Sequence, residues 1–248
     1  MKKLSIIIPA YNEEDRISRT LNEYLMFFSK KFKNDFELIV ILNGCTDNTS
    51  DVVKKFKNYK SLRYKNFVDR IGKGGAIIEG FKIANGDLIG FVDADLCTKP
   101  EAFYELVNSI GTYDGVIASR WIEGAKIEIK QPIMRRIASR GFNILVRTFF
   151  GIRVRDTQCG AKLFKRHAIK WVVNDLGISN WAFDIDLLYL MKRNNFKVKE
   201  VPTEWREPGD SHLRIMKTAS EMFLAITRLR LIYSPFRFVV KMYDRLSK

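Results

Sequence analysis

The sequence predicts an α/β protein built on a mixed, mostly parallel sheet flanked by helices. Three observations point there. Short apolar runs rich in Ile, Val and Leu recur from residue 4 to residue 119, and segments of helix length separate them. Each run ends in a polar or glycine-bearing turn, the punctuation of successive βα units. The runs are continuously apolar rather than alternating, as strands buried on both faces are.

Leu4 to Ala10 is the first such strand, and Tyr11 to Glu14 is the loop after it. A helix is expected from Asp15 to Phe32. Phe36 to Leu42 is a second buried strand, closed by Asn43-Gly44. A helix then starts at Thr46 or Asp47 and runs to about Phe56. Leu62 to Asn66 is a third strand, and Gly72 to Ala84 is a helix opened by glycine. Asp87 to Val92 is the fourth strand. Pro100 begins a helix to Ile110, with proline at a position that a first turn favours. Gly115 to Ser119 is the fifth strand. Ligands of such sheets bind beyond the C-terminal strand ends, so the loops at Tyr11, Asn43 and Asp93 are the first to examine.

The 248 residues are 46% apolar, enough for a sizeable core, and too rich in apolar residues for a disordered or collagen-like chain. Lys and Arg number 43 against 28 Asp and Glu, a net charge of +15 that implies an anionic partner. The excess is local. Arg120 to Arg166 holds twelve basic and three acidic residues, and Ser211 to Lys248 holds eight and two. Three cysteines without a CxxC spacing fit a reducing compartment. The apolar start Leu4-Ser5-Ile6-Ile7-Ile8 is stopped by Pro9 and the acids at 13–15, too early for a signal peptide. No run of 18 apolar residues suggests a transmembrane helix. His167 and His212 are too few for a triad or a multi-histidine metal site.

Asp93-Ala94-Asp95 places two carboxylates at i and i+2 where the fourth strand ends. Two hard oxygen ligands suit Mg2+ or Mn2+ bound against phosphates. The alternative is one aspartate capping the next helix and the other solvated, and the strand-end position weighs against it. Gly72-Lys73-Gly74-Gly75 could bring backbone N–H groups and an ammonium to a phosphate, but it lacks the P-loop spacing. Asp156-Thr157-Gln158-Cys159-Gly160 is a polar turn in which Gln158 has no evident structural duty. Asp184 and Asp186 fall at an expected helix start, where macrodipole stabilisation is an even alternative.

Two basic stretches have amphipathic geometry. On a helix from Pro132 to Phe150, at about 100° per residue, Arg136, Arg140, Asn143 and Arg147 form one polar stripe. Ile133, Ile137, Ile144, Leu145 and Phe149 cover much of the rest. In the tail, Met222, Ile226, Leu229 and Tyr233 recur at helical spacing, and Pro235 breaks the helix before Phe236 and Phe238. Such helices either pack on the domain or lie at a membrane boundary.

Together these motifs resemble family 2 glycosyltransferases of the GT-A fold, and among them the dolichyl- and polyprenyl-phosphate sugar transferases, particularly the dolichyl-phosphate glucosyltransferase branch. The resemblance covers about residues 4 to 210. It rests on Pro9-Ala10-Tyr11-Asn12-Glu13-Glu14, Gly44-Cys45-Thr46-Asp47, Gly72-Lys73-Gly74, Asp93-Ala94-Asp95, the run Asp156 to Lys162, Trp181 with Phe183-Asp184-Ile185-Asp186, and Val201-Pro202 with Trp205. It implies a catalytic domain over 1–210, including a basic amphipathic segment at 130–155, and a membrane-proximal tail over 211–248. The implied reaction is inverting transfer of a hexose from a nucleotide diphosphate sugar to a polyprenyl or dolichyl phosphate.

By the same resemblance Pro9, Tyr11, Glu13, Asn43, Lys73 and Asp93 contact the nucleotide, and Asp93 and Asp95 hold a divalent metal, Mg2+ or Mn2+. Asp184 stands where hydroxyl-accepting relatives place a base, although a phosphate acceptor is already anionic. Gln158, Trp181 and Asp186 are expected at the sugar or acceptor. Arg120, Arg135, Arg140 and Arg155 are candidates for the acceptor phosphate. Leu42-Asn43-Gly44-Cys45 replaces the family's Asp-Asp-Gly-Ser, which leaves the base open. Leu96-Cys97 and the Asp-Thr-Gln-Cys-Gly run favour UDP-glucose over GDP-mannose. The expected location is peripheral, on the cytoplasmic side of a membrane. Transfer to a saccharide hydroxyl and nucleic-acid binding are the alternatives, and no groove-entering motif supports the second.

Overall fold

The computed structural model describes residues 3–127, 133–177, 182–206 and 215–246, with the side chains of 133–139, 215–220, 241 and 243–246 outside the description. Seven strands make the main sheet: β1 (Leu4–Ala10), β2 (Phe36–Asn43), β3 (Leu62–Phe67), β4 (Leu88–Phe91), β5 (Gly115–Ser119), β7 (Lys162–Lys165) and β8 (Val198–Pro202). Their spatial order is β3-β2-β1-β4-β7-β5-β8. All neighbours pair in parallel except β7, which is antiparallel to both β4 and β5. Two short strands, β6 (Lys126–Ile127) and β9 (Glu204–Trp205), pair in parallel beside it.

Helices cover both faces. On one face α1 (Ile17–Phe32), α2 (Thr49–Lys54) and α4 (Pro100–Ser109) bury Leu21, Tyr24, Phe28 and Phe103 against Ile6, Ile8, Leu38 and Val40. On the other, α3 (Gly72–Ile83), α6 (Arg166–Val172) and α7 (Phe183–Arg193) pack on Ile7, Ile39, Ile41 and Phe91. Alternate residues of β1, β2 and β5 serve opposite cores, which is why these strands read as nearly unbroken apolar runs.

Three further helices are α5 (Ile133–Phe150), α8 (Ile215–Ile232) and α9 (Arg237–Leu246). α5 and α8 enter the second core through Val146, Phe150, Ile226 and Leu229. No described helix is long and apolar enough to cross a membrane.

The first five strands fall where the sequence places them, to within one residue at each end; β2 and β3 end one residue later than expected, and β4 is one residue shorter at each end. α2 starts later than expected because Asp47 forms a local turn ahead of it, its Oδ1 accepting the backbone N–H and the hydroxyl of Thr49, and it ends at Lys54 rather than Phe56. One expectation for α5 is corrected. Asn143, placed on the polar stripe with Arg136, Arg140 and Arg147, is buried, and its Oδ1 accepts the N–H and hydroxyl of Thr157. The helix turns that polar position inward to brace the Asp156–Lys162 loop.

Candidate active site

Strand order reverses between β1 and β4, the switch point at which open sheets bind ligands. Their C-terminal loops carry Tyr11, Glu13, Asp93 and Asp95. The loops after β1 and β2 are laced together: Asn12 bonds Thr46, Glu13 N–H donates to Thr49, and Glu14 accepts from Asn48. Asn43 is buried at the end of β2, and its Oδ1 accepts Ile71 N–H at 2.7 Å. It therefore also pins the turn that opens α3. The Arg70 guanidinium lies 4.2 Å from the Tyr11 ring centroid, a stacking partner the sequence reading missed because nothing in its spacing ties it to Tyr11.

Lys73, in the first turn of α3, makes an ion pair with Asp93. Desolvation draws the Lys73 ammonium down, and Asp93, Asp184 and Asp95 more than reverse it, so its pKa is raised. Asp95 accepts Cys97 N–H at 3.0 Å through Oδ1. Its pKa is raised by burial and by the Asp93 charge. Glu13 is raised by burial too, with Asp95 and Asp93 adding to the effect and Arg16, 2.8 Å away, opposing it. Acids at this density favour a cation among them. Among the described residues no cluster of three or more His, Cys, Asp or Glu is assembled for a metal. The Asp93–Asp95 pair offers hard oxygens of the kind that suit Mg2+ or Mn2+ when phosphate oxygens complete the shell.

Two glycines make the convergence possible. A Cβ at Gly160 would overlap the Asp93 carboxylate, so the Asp156–Lys162 loop lies directly against the Asp93–Asp95 carboxylates. A Cβ at Gly74 would stand 2.6 Å from Phe183 Cβ, so the starts of α3 and α7 touch and Lys73 feels Asp184.

Asp184 opens α7 and is bound by a buried cation. Lys162 Nζ lies 2.5 Å from Asp184 Oδ1 and 2.6 Å from the Cys159 carbonyl. Lys162 closes the Asp156–Lys162 run, where the sequence alone gives it no role. Its residue type implies exposure, and only its place on β7 buries it. In the same loop the Gln158 Nε2 is buried with no partner among the described residues, as is Trp121 Nε1. A buried donor without an acceptor marks a place for one.

Several candidates fall elsewhere. Arg120 is not a free cation: its guanidinium makes a bidentate pair with buried Asp156 at 2.8 and 2.9 Å and stacks 5.2 Å from Trp205. Asp186 is fully buried and bonds Tyr233 and Gly177 rather than facing Asp93. Arg140 and Arg155 are exposed, Arg140 lying 5.2 Å from the Trp121 ring. Pro9 is half-buried in β1. Arg135 and Trp181 lie outside the described side chains.

The glycosyl transferase family 2 model matches residues 5–172. A dolichyl-phosphate beta-glucosyltransferase from Trichomonas vaginalis is 35% identical over 224 residues, which are 85% of this chain and 66% of that protein. The enzyme of the same name from Saccharomyces cerevisiae is 32% identical over 250 residues, 93% of this chain and 75% of the relative. The chain thus spans about two thirds to three quarters of these relatives' length. A crystal structure of glucosyl-3-phosphoglycerate synthase from Mycobacterium tuberculosis, with Mn2+, UDP and phosphoglyceric acid, superposes with a TM-score of 0.70 at 19% identity, covering 92% of this chain and 78% of that one. That likeness establishes a common GT-A fold.

Proposed function

The chain belongs to glycosyl transferase family 2 and is a glycosyltransferase, and from that premise we infer that it transfers glucose from UDP-glucose to a dolichyl or polyprenyl phosphate at a membrane surface. The observation that carries the reading is the meeting of Lys73, Asp93 and Gly160: the carboxylate pair, the α3 start and the Asp156–Lys162 loop share one point. Relatives matching across that whole span are named dolichyl-phosphate beta-glucosyltransferases.

Tyr11 and Arg70 offer flat surfaces to the base, and Lys73 with the N-terminal end of α3 offers positive charge to the diphosphate. A divalent cation held by Asp93 and Asp95, Mg2+ or Mn2+, would neutralise charge gathering on the departing UDP. Gln158 Nε2 supplies an N–H for the sugar or the incoming phosphate. Arg140 and Arg155 are the exposed cations for that phosphate. The acceptor oxygen is already anionic near neutral pH, so Asp184, held by Lys162, serves to shape the site rather than to remove a proton.

Among the described residues, eight of the fourteen exposed large hydrophobic side chains lie on α5, α8, α9 and the turn between α8 and α9, beside Arg140, Arg147, Arg230 and Arg237. That supports peripheral binding to anionic lipid by these helices, on the cytosolic face. The test is Asp95→Asn. Metal-dependent transfer is expected to fall by about 10²-fold or more with thermal unfolding unchanged. Transfer at the wild-type rate would overturn the reading.

A further inference from the structure

Asp186 lies in the first turn of α7, two residues beyond Asp184, and is fully buried. Its Oδ1 accepts the Tyr233 hydroxyl at 2.6 Å, and its Oδ2 accepts the Gly177 N–H at 3.1 Å. Tyr233 directly follows the last residue of α8. Its ring packs 5.0 Å from Tyr189 of α7, with the Arg193 guanidinium 5.3 Å from its centroid.

The end of α5 reaches the same helix. Phe150 lies 5.2 Å from Tyr189, and Lys192 donates to the Phe150 carbonyl at 2.9 Å. α5 and α8, which both carry exposed apolar side chains, therefore converge on α7, whose first turn holds Asp184. Packing alone would be served by a leucine at 186. A buried carboxylate is costly to desolvate unless its partners are fixed, and when fixed they set direction as well as contact.

We propose that Asp186 and Tyr233 form the joint that holds α8 and α9 in register with the active site, making Tyr233 a positioning residue for a lipid-borne phosphate acceptor. The proposal rests on the lipid-phosphate reading above. A phosphate attached to a membrane lipid sits at a fixed height over the bilayer. The helices that dock on that bilayer must hold Asp93 and Asp184 at the same height, and small displacements are costly in a transfer reaction. A short, water-soluble phosphate diffuses to the site and needs no such register.

The experiment compares full-length wild type with Tyr233→Phe, which keeps the ring stack and removes the O–H. Vesicles of phosphatidylcholine and phosphatidylserine carry polyprenyl phosphate, and a short soluble isoprenyl phosphate serves as the second acceptor. kcat/KM for the vesicle-borne acceptor is expected to fall about tenfold, while the soluble acceptor and the KM for UDP-glucose change by less than about twofold. Vesicle binding is expected to be unchanged. Equal losses on both acceptors with a lowered Tm make Tyr233 merely structural and overturn the proposal, as does no change on either. Hydrogen–deuterium exchange decides the joint without activity: amides of the first turn of α7 and of Gly177 are expected to exchange faster in Tyr233→Phe, and unchanged exchange refutes it. Wild type that transfers to neither phosphate refutes the acceptor reading instead, and the exchange result then stands on its own.

Discussion

Lys162 is fully buried beneath the sheet's C-terminal edge, with its Nζ between Asp184 and the Cys159 carbonyl and 5.3 Å from the Phe91 ring. A lone buried ammonium is expensive, and a paired one becomes costly to unpair. Lys162→Met is therefore expected to destabilise the fold by about 3–5 kcal/mol, because it strands the Asp184 charge. Lys162→Met with Asp184→Asn is expected to recover half or more of that loss. Urea denaturation of the single and double variants measures the coupling. Additive losses would contradict the pairing. Lys162, Arg120 and Asn143 share one lesson: their types suggest solvent, and a single sequence carries no sign that each is buried on a partner from a distant segment. That Asp93, Asp95 and Lys73 lie together was legible because each sits just past the end of a strand or at the start of a helix, on the edge of the sheet where ligands of such folds bind.

Among the elements, β1, β2, β4 and β5 were readable since each is a short apolar run with a clear turn behind it, while β3, Leu-Arg-Tyr-Lys-Asn-Phe, is an exposed strand read from its place between two helices. β7 was not. It is four residues long, two of them lysines, and is fixed by antiparallel pairing to β4 and β5 rather than by its own pattern. The tail was half legible. The stripe of Ile226 and Leu229 is buried as its spacing suggests, while Phe236 and Phe238 are each 59% exposed. Side chains so exposed contribute little to the core, so Phe236→Ser with Phe238→Ser is expected to leave Tm unchanged. Binding to anionic vesicles should fall by about tenfold or more, from the loss of two burying rings. Sedimentation with vesicles checks this, and undiminished binding would remove the turn between α8 and α9 and the start of α9 from the membrane surface.

Over the whole molecule the +15 charge resolves into place. The βα half is nearly neutral, and the excess lies on the stretches that include α5, α8 and α9. A charge excess concentrated in the two stretches that carry amphipathic helices suits a lipid surface and a lipid phosphate better than a nucleic acid, which needs a groove-entering or base-stacking element. Composition alone did not distinguish these partners, and the distribution along the chain did. The direct test is a donor screen: UDP- and GDP-sugars with Mg2+ or Mn2+, scored by radiolabel transferred to polyprenyl phosphate in anionic vesicles. The expected result is a glucosyl lipid formed from UDP-glucose only when metal is present. No label in lipid from UDP-glucose, with transfer from GDP-mannose or to a saccharide hydroxyl instead, would contradict it.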